Sequence, residues 1–183
     1  MNTSDYIVDQ LTKFNIDTVF SVSGGGSMFL VNAFGKNKKF KNYFLHHEQS
    51  CSMAADVYGR VKKKPAVVCV TTGPGGINAI NGVFGAYTDS VPMIIISGQV
   101  KTATSMIIQK KKGLRQLGDQ ENDITYMVKK ITSNKFRSIL SDTNKRPLIV
   151  AEISGNHNGK KKKFLEHIKS AAKNGADMIK IQT

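Results

Sequence analysis

"PAVVCVTTGPGGINAINGVFGAYTDSVPMIIISGQV", residues 65–100, is the stretch on which the fold turns. Val67 to Val70 and Met93 to Ser97 are short apolar runs without polar alternation, as in strands buried on both faces of a parallel sheet. Between them Gly73, Gly75 and Gly76 mark a turn, and Ile77 to Tyr87 has the spacing of a helix. Strand, glycine turn, helix and strand make a crossover unit, so a parallel α/β layer is expected.

The same alternation extends toward the N-terminus. Ile7, Val8, Leu11 and Phe14 recur at helical spacing, and "DTVFSV" reads as a strand that ends at Gly24, Gly25 and Gly26. "NYFLHH" reads as a short strand, and Glu48 to Val61 as a helix with Ala54, Ala55 and Gly59 on a closely packed face. Beyond residue 100, a polar loop from Leu114 leads into a further helix ending near Lys130. Periodicity then fades from Ser138 to Lys145. The expected organisation is an α/β domain over residues 1–136, a junction at 137–145, and a β-α-β tail over 146–183. The tail's strands are expected at Leu148 to Ile153 and Asp177 to Ile181.

At 183 residues the chain is long enough for one ordinary domain and short for two. Its first residues lack the basic and apolar regions of a secretory leader, and no apolar run is long enough for a membrane span, so a cytoplasmic protein with no membrane partner is expected. Cys51 and Cys69 have neither metal-ligand spacing nor a disulfide framework, and read as buried free thiols. The net charge of +14 raises nucleic acid as a partner, but the lysines fall in short, scattered runs without interleaved aromatics. Nucleic-acid binding is therefore not expected. No internal repeat or low-complexity segment is present.

Glu48 stands where a strand runs into a helix, at the sheet edge where ligands bind in this architecture. An acid there also complements a helix dipole, and a GPGG segment also makes an ordinary turn. Taken in order, "VFSVSGGGS", "HHEQSCSMAADVYGR", "TTGPGGINAINGVFGAYTDSVPMIIISGQV" and "RQLGDQENDITYMVKKIT" resemble the N-terminal pyrimidine-binding domain of thiamine diphosphate enzymes, of the acetolactate synthase-like group. The resemblance covers residues 4–135 and implies a three-layer parallel α/β domain. It also implies that Glu48 hydrogen-bonds the cofactor's aminopyrimidine ring, so that the exocyclic nitrogen takes the proton from the thiazolium carbon, which then attacks a 2-keto acid. Gly24, Gly25 and Gly26 match the family's active-site glycine turn, and Thr72, Gly73, Pro74 and Gly75 would lie near the pyrimidine. For His46 and His47, packing or hydrogen bonding at a strand end stands beside proton transfer.

The family's diphosphate and magnesium site, with its Gly-Asp-Gly motif, has no counterpart here. Gly118 to Gln120 imitates that motif without its third glycine, inside a segment that matches the pyrimidine-binding domain. The expectation is an incomplete thiamine diphosphate enzyme, inactive alone, whose magnesium comes from a missing domain or a partner. The chain would form a homo- or hetero-oligomer with a complete enzyme of the family. A non-catalytic partner-binding module is the alternative. Separately, "LIVAEISGNHNGKKKKFLEHIKSAAKNGADMIKIQT" resembles the start of the sialic acid synthase family, which condenses phosphoenolpyruvate with an N-acetyl sugar on a (β/α)₈ barrel. That likeness implies that Glu152 matches a sugar-site carboxylate and Lys180 a phosphoenolpyruvate-binding cation, with no metal site in the tail. The chain as a fragment of such a synthase is a third reading.

Overall fold

A computed structural model describes residues 2–109, 113–132, 148–149 and 179–181. Helix α1 (Thr3–Lys13) is capped by Asn2, whose Oδ1 accepts from the Asp5 amide at 2.8 Å. Then follow β1 (Thr18–Ser21), a single 3₁₀ turn at Gly25–Ser27, α2 (Met28–Lys36), β2 (Lys41–Phe44), α3 (Glu48–Lys62), β3 (Ala66–Val70), α4 (Pro74–Thr88) and β4 (Met93–Gly98). After β4 come a short 3₁₀ turn and two brief helices, α5 (Met106–Gln109) and α6 (Ile124–Val128). The expected strand–helix alternation is therefore present from residue 3 to residue 98.

All strands pair in parallel in the order β2-β1-β3-β4. Right-handed crossovers turn this order into layers. The step from β1 through α2 to β2 runs one way along the sheet, whereas the steps through α3 and α4 run the other way. Opposite directions with one handedness put α2 on one face and α3 with α4 on the other, and α1 packs beside α2. β3 and β4, covered on both faces, are wholly buried, and Val67, Val68, Ile94, Ile95 and Ile96 form the middle of the core. β2 is an edge strand with an exposed face, on which Tyr43 stacks on Phe20 at 5.3 Å.

Two further strands occupy the free side of β4. β5 (Leu148–Ile149) lies opposite Ile94 and Ile95, and β6 (Ile179–Ile181) lies opposite Ile96, Ser97 and Gly98. Both are parallel to β4 and follow one another along the same edge. Lys180, expected at the end of the tail's second strand, sits in β6 in register with Ser97. The 137–145 junction, Glu152 and the tail helix fall outside the described residues.

Packing of α3 against α4 depends on one missing side chain. A Cβ on Gly82 of α4 would run into Ser52 Oγ and come within 2.7 Å of the Met53 backbone nitrogen in α3. Backbone cannot retreat as a side chain can, so Gly82→Ala is expected to destabilise the fold by about 1–3 kcal/mol, measured by urea unfolding.

At the amino ends of the strands, Asp17 and Lys64 form an ion pair at 2.8 Å, and the Thr18 and Tyr58 hydroxyls also donate to Asp17. Burial pushes the Asp17 carboxyl up, but hydrogen bonds from Lys64 and Thr18 outweigh it and hold the group below its usual range. The hydrogen bond to Asp17 likewise raises Lys64 against the effect of burial. The aspartate's contribution is thus present above about pH 4 and lost as pH falls through its lowered value, and the lysine's is lost only as pH rises through its raised value. Both side chains are about a third exposed, which limits the pair to roughly 0.5–1 kcal/mol. Asp17→Asn should lower stability by that amount near pH 7 and remove part of the acid-side decline, as followed by thermal unfolding between pH 2 and pH 8.

Candidate functional site

Ligands in open parallel sheets bind where neighbouring strands send their connections in opposite directions, at the carboxyl ends of the strands. Here that place lies between β1, which leads away to β2, and β3, which leads away to β4. Gly24–Gly26 follow β1 and Thr71–Gly76 follow β3, so the two glycine segments must meet at this crevice.

They do meet. The Gly26 amide donates to Thr71 Oγ1 at 3.1 Å, and a Cβ on Gly26 would stand 3.2 Å from Thr72 Cβ and the Thr72 nitrogen. Thr72 Oγ1 donates to Gln99 Oε1 at 2.6 Å, and the same oxygen accepts from the Val100 amide at 2.9 Å. Gln99, 5 % exposed, then donates through Nε2 to the Asn122 carbonyl at 3.2 Å. One buried amide thereby joins the ends of β3 and β4 to the loop that precedes α6.

That loop closes over the glycine turn. Gly73 has φ +57°, and a Cβ there would collide with the Gln120 carbonyl, while Gln120 itself has φ +53°. Two residues in left-handed conformations face each other, and only the glycine is free of the associated steric cost. Glu121 secures the loop from behind: its carboxylate accepts from Ser105 Oγ at 2.7 Å and from the Met106 amide at 2.8 Å.

The turn differs from the sequence-based expectation in one respect. The helix does not wait for Ile77: Pro74, Gly75 and Gly76 form its first turn, and Gly73 is its N-cap. Proline suits the first helical position, because its φ is preset and no amide hydrogen is lost. The earlier start places Gly75, Asn78, Ala79 and Gly82 along the α3-facing side of α4.

Glu48 opens α3, where the helix dipole favours a carboxylate. Half-buried, it accepts a hydrogen bond at Oε2 from Asn78 Nδ2 at 3.0 Å. Its Oε1 would stand 3.4 Å from a Cβ on Gly75 and has no hydrogen-bond partner among the described residues. His47 caps α3 through Nδ1, which accepts from the Gln49 amide at 3.2 Å, so the plainer role for this histidine is the observed one. One turn along α3, Cys51 is pushed up to about 11 by burial and by Glu48, and beneath the helix burial lifts Cys69 to about 12. Neither thiol is a nucleophile at neutral pH.

Glu48, Gly24, Gly26, Thr72, Gly73 and Gly75 thus lie along one carboxyl-terminal edge, with Pro74 at the start of α4 and Gly25 in the 3₁₀ turn. Thr71, Asn78, Gln99 and Gln120 belong to the same edge, although none was a candidate on sequence grounds. Gln99 is the first polar side chain after the last apolar strand beyond Ser97 and Gly98. Asn78 faces Glu48 only once the helix is known to begin at Pro74. Among the described residues no three His, Cys, Asp or Glu side chains converge as metal ligands. No helix among those residues is long and apolar enough to cross a membrane.

Fold and edge together define a parallel α/β ligand-binding domain with one oriented carboxylate beside a glycine-lined crevice. Residues 1–123 match the family described as thiamine pyrophosphate enzyme, N-terminal TPP binding domain, and the chain belongs to that family. It is similar to acetolactate synthase 2, chloroplastic, of Brassica napus, with 30% identity over 149 residues, covering 81% of this chain and 22% of the relative. The chloroplastic acetolactate synthase of Arabidopsis thaliana is 31% identical over 152 residues, covering 81% and 21%. The acetolactate synthase large subunit of Haemophilus influenzae is 39% identical over 100 residues, covering 55% and 18%. The chain spans about a fifth of the length of these relatives.

Because the Gln120 carbonyl occupies the space above Gly73, Gly73→Ala is expected to dislodge the loop at a cost of about 1–3 kcal/mol. Hydrogen-exchange mass spectrometry should show faster exchange in residues 113–123, with β3 still protected.

Proposed function

We propose that this chain supplies the pyrimidine-binding half of a thiamine diphosphate site in an acetolactate synthase-like enzyme acting on 2-keto acids, with Glu48 as the group that activates the cofactor. The observation that carries the reading is the Glu48 carboxylate itself, held at one oxygen by Asn78 and open at the other toward the space left by Gly75. When bound, the cofactor supplies a thiazolium carbon that loses its proton and accepts electrons as carbon dioxide leaves. The chain's own contribution is to hold a proton between Glu48 Oε1 and a ring nitrogen, and to present a crevice shaped by Gly24, Gly26, Thr72 and Gly73. Gly25, Pro74 and Gly75 complete that lining.

An aminopyrimidine fits this crevice: it is flat, and the missing side chains leave room beside the carboxylate. The diphosphate and its magnesium do not find residues in the described part of the chain, so no step is assigned to them here. A complementary domain must bring the anion-binding groups. The outer face of α3 and α4 supports docking, since it exposes Met53, Val57, Val61, Ile77 and Phe84, and α4 carries no charged residue from Pro74 to Thr88. In a chain of net charge +14, such a neutral apolar face is a natural contact surface for a partner, either a second chain of this kind or a complete homologue. For the tail, the synthase-like roles of Glu152 and Lys180 are a separate proposal that rests on the sequence resemblance alone; Glu152 lies outside the described residues, and the described strands β5 and β6 each pair with β4.

The chain by itself should bind thiamine diphosphate weakly or not at all, and should not decarboxylate pyruvate. Mixed with a separately produced diphosphate-binding domain of an acetolactate synthase, it should accelerate proton–deuterium exchange at the thiazolium carbon. Glu48→Gln should remove about 10²-fold or more of that gain while leaving the unfolding transition intact. Rapid exchange by the Glu48→Gln mixture would overturn the assignment.

A further inference from the structure

We infer that Asn78 is a positioning residue for Glu48, holding Oε2 so that the carboxylate is turned with Oε1 toward the crevice. The inference rests on the reading of Glu48 given above, and extends it to a second side chain on a different helix. A carboxylate that exchanges a proton with a bound ring needs a defined orientation, and a half-buried glutamate at a helix start has three side-chain torsions to restrain. Asn78 Nδ2 at 3.0 Å from Oε2 is the restraint. Only the amide nitrogen can face an ionised carboxylate favourably, because the amide oxygen would set acceptor against acceptor.

The distance is fixed by packing on either side of the pair. Gly75, three residues before Asn78, has Thr71 Cγ2 at 2.8 Å from where its Cβ would be, and Gly82, four residues after, meets the α3 backbone. α4 therefore meets the α3 backbone at Gly82, while at Gly75 it lies against the Thr71 side chain, with Glu48 Oε1 at 3.4 Å from the same Cβ position, and a short side chain between these points suffices to reach Glu48.

A donor on one carboxylate oxygen also restricts the terminal torsion of the side chain, which leaves the other oxygen aimed at the crevice. Other titratable groups around Glu48 do not substitute for it. Cys51, on the same helix, is pushed up to about 11 by burial and by Glu48 and is a neutral thiol at pH 7. His47 spends Nδ1 on the Gln49 amide, α4 contributes no charged side chain, the ends of β3 and β4 offer Thr71, Thr72, Ser97 and Gln99, and Glu121 is engaged with Ser105 and Met106.

The test is the mobility of the Glu48 side-chain carboxyl, read by carbon-detected NMR relaxation at constant pH on the full 183-residue chain labelled at glutamate, with Glu48→Gln assigning the signal. Asn78→Ala should lower the side-chain order of Glu48 toward that of a freely rotating glutamate, and Asn78→Asp, which keeps the size but opposes like charges, should lower it at least as far. Having two variants of different size keeps the test open if one of them fails to fold. Order unchanged in both variants would overturn the inference. A second measurement separates it from the proposed function. In the mixture with a diphosphate-binding domain, Asn78→Ala should slow thiazolium proton exchange about tenfold. Exchange absent from the wild-type mixture, with the side-chain order still lowered in the variants, would count against the cofactor reading and leave the Asn78–Glu48 coupling in place. Normal wild-type exchange with no change of order in either variant would do the reverse.

Discussion

Close approach of α4 to its surroundings is the constraint from which the rest of the structure follows. Gly75, Gly76 and Gly82 remove side chains where the helix meets Thr71, Ile124 and the backbone of α3. Each substitution of a methyl group there would force backbone or branched side chains apart, at a cost comparable to a fair share of a small domain's net stability. Because the helix can come this near, a short amide reaches a carboxylate on its neighbour, and Ile124 tucks its side chain against Gly76. Core and site are thus set by the same three absent side chains.

The location of the site follows from topology rather than from any single motif. Crossovers of one handedness running in opposite directions leave a crevice between β1 and β3, and the chain puts glycines after both strands. Thr71 and Thr72 then divide the work: the first holds the turn after β1, and the second hands its hydroxyl to Gln99, which fastens the loop from beyond β4. Polar groups drawn into a buried edge are costly unless each is paired, and here the pairing is also what assembles the crevice.

The parallel layer was legible in residues 65–100, because strands covered on both faces lose the alternation that marks a surface strand, leaving only Val, Ile and their bounding glycines. Glu48 was legible as a position, at a strand-to-helix passage. α2 was not, since MFLVNAFGK is apolar on most sides and follows three glycines, so no amphipathic stripe announces it. Nor were Asn78 and Gln120. Their importance depends on a helix that begins at a proline and on a loop whose return over Gly73 is a tertiary event, and local periodicity carries neither. For the tail, an apolar run at each end predicted strands, and strands are present at Leu148–Ile149 and Ile179–Ile181. That both line up along the free side of β4 is a tertiary outcome that residue pattern alone does not decide.

The seating of the Gln120 carbonyl over Gly73 has a consequence for the order in which the molecule is made. During synthesis the segment from β1 to β4 leaves the ribosome first, and it contains every pairing among the four main strands as well as the Glu48–Asn78 contact. The turn at Gly73 is then complete in sequence but uncovered, and it stays so until residues 118–122 emerge and Gln99 and Glu121 draw them down. A nascent chain therefore passes through a stage in which β1 to β4 can pair while β5, β6 and the loop over Gly73 are still to come, and the crevice stands open to solvent. Covering of the Gly73 turn thus waits on translation of a loop that contributes no strand to the sheet, and precedes the addition of β5 and β6.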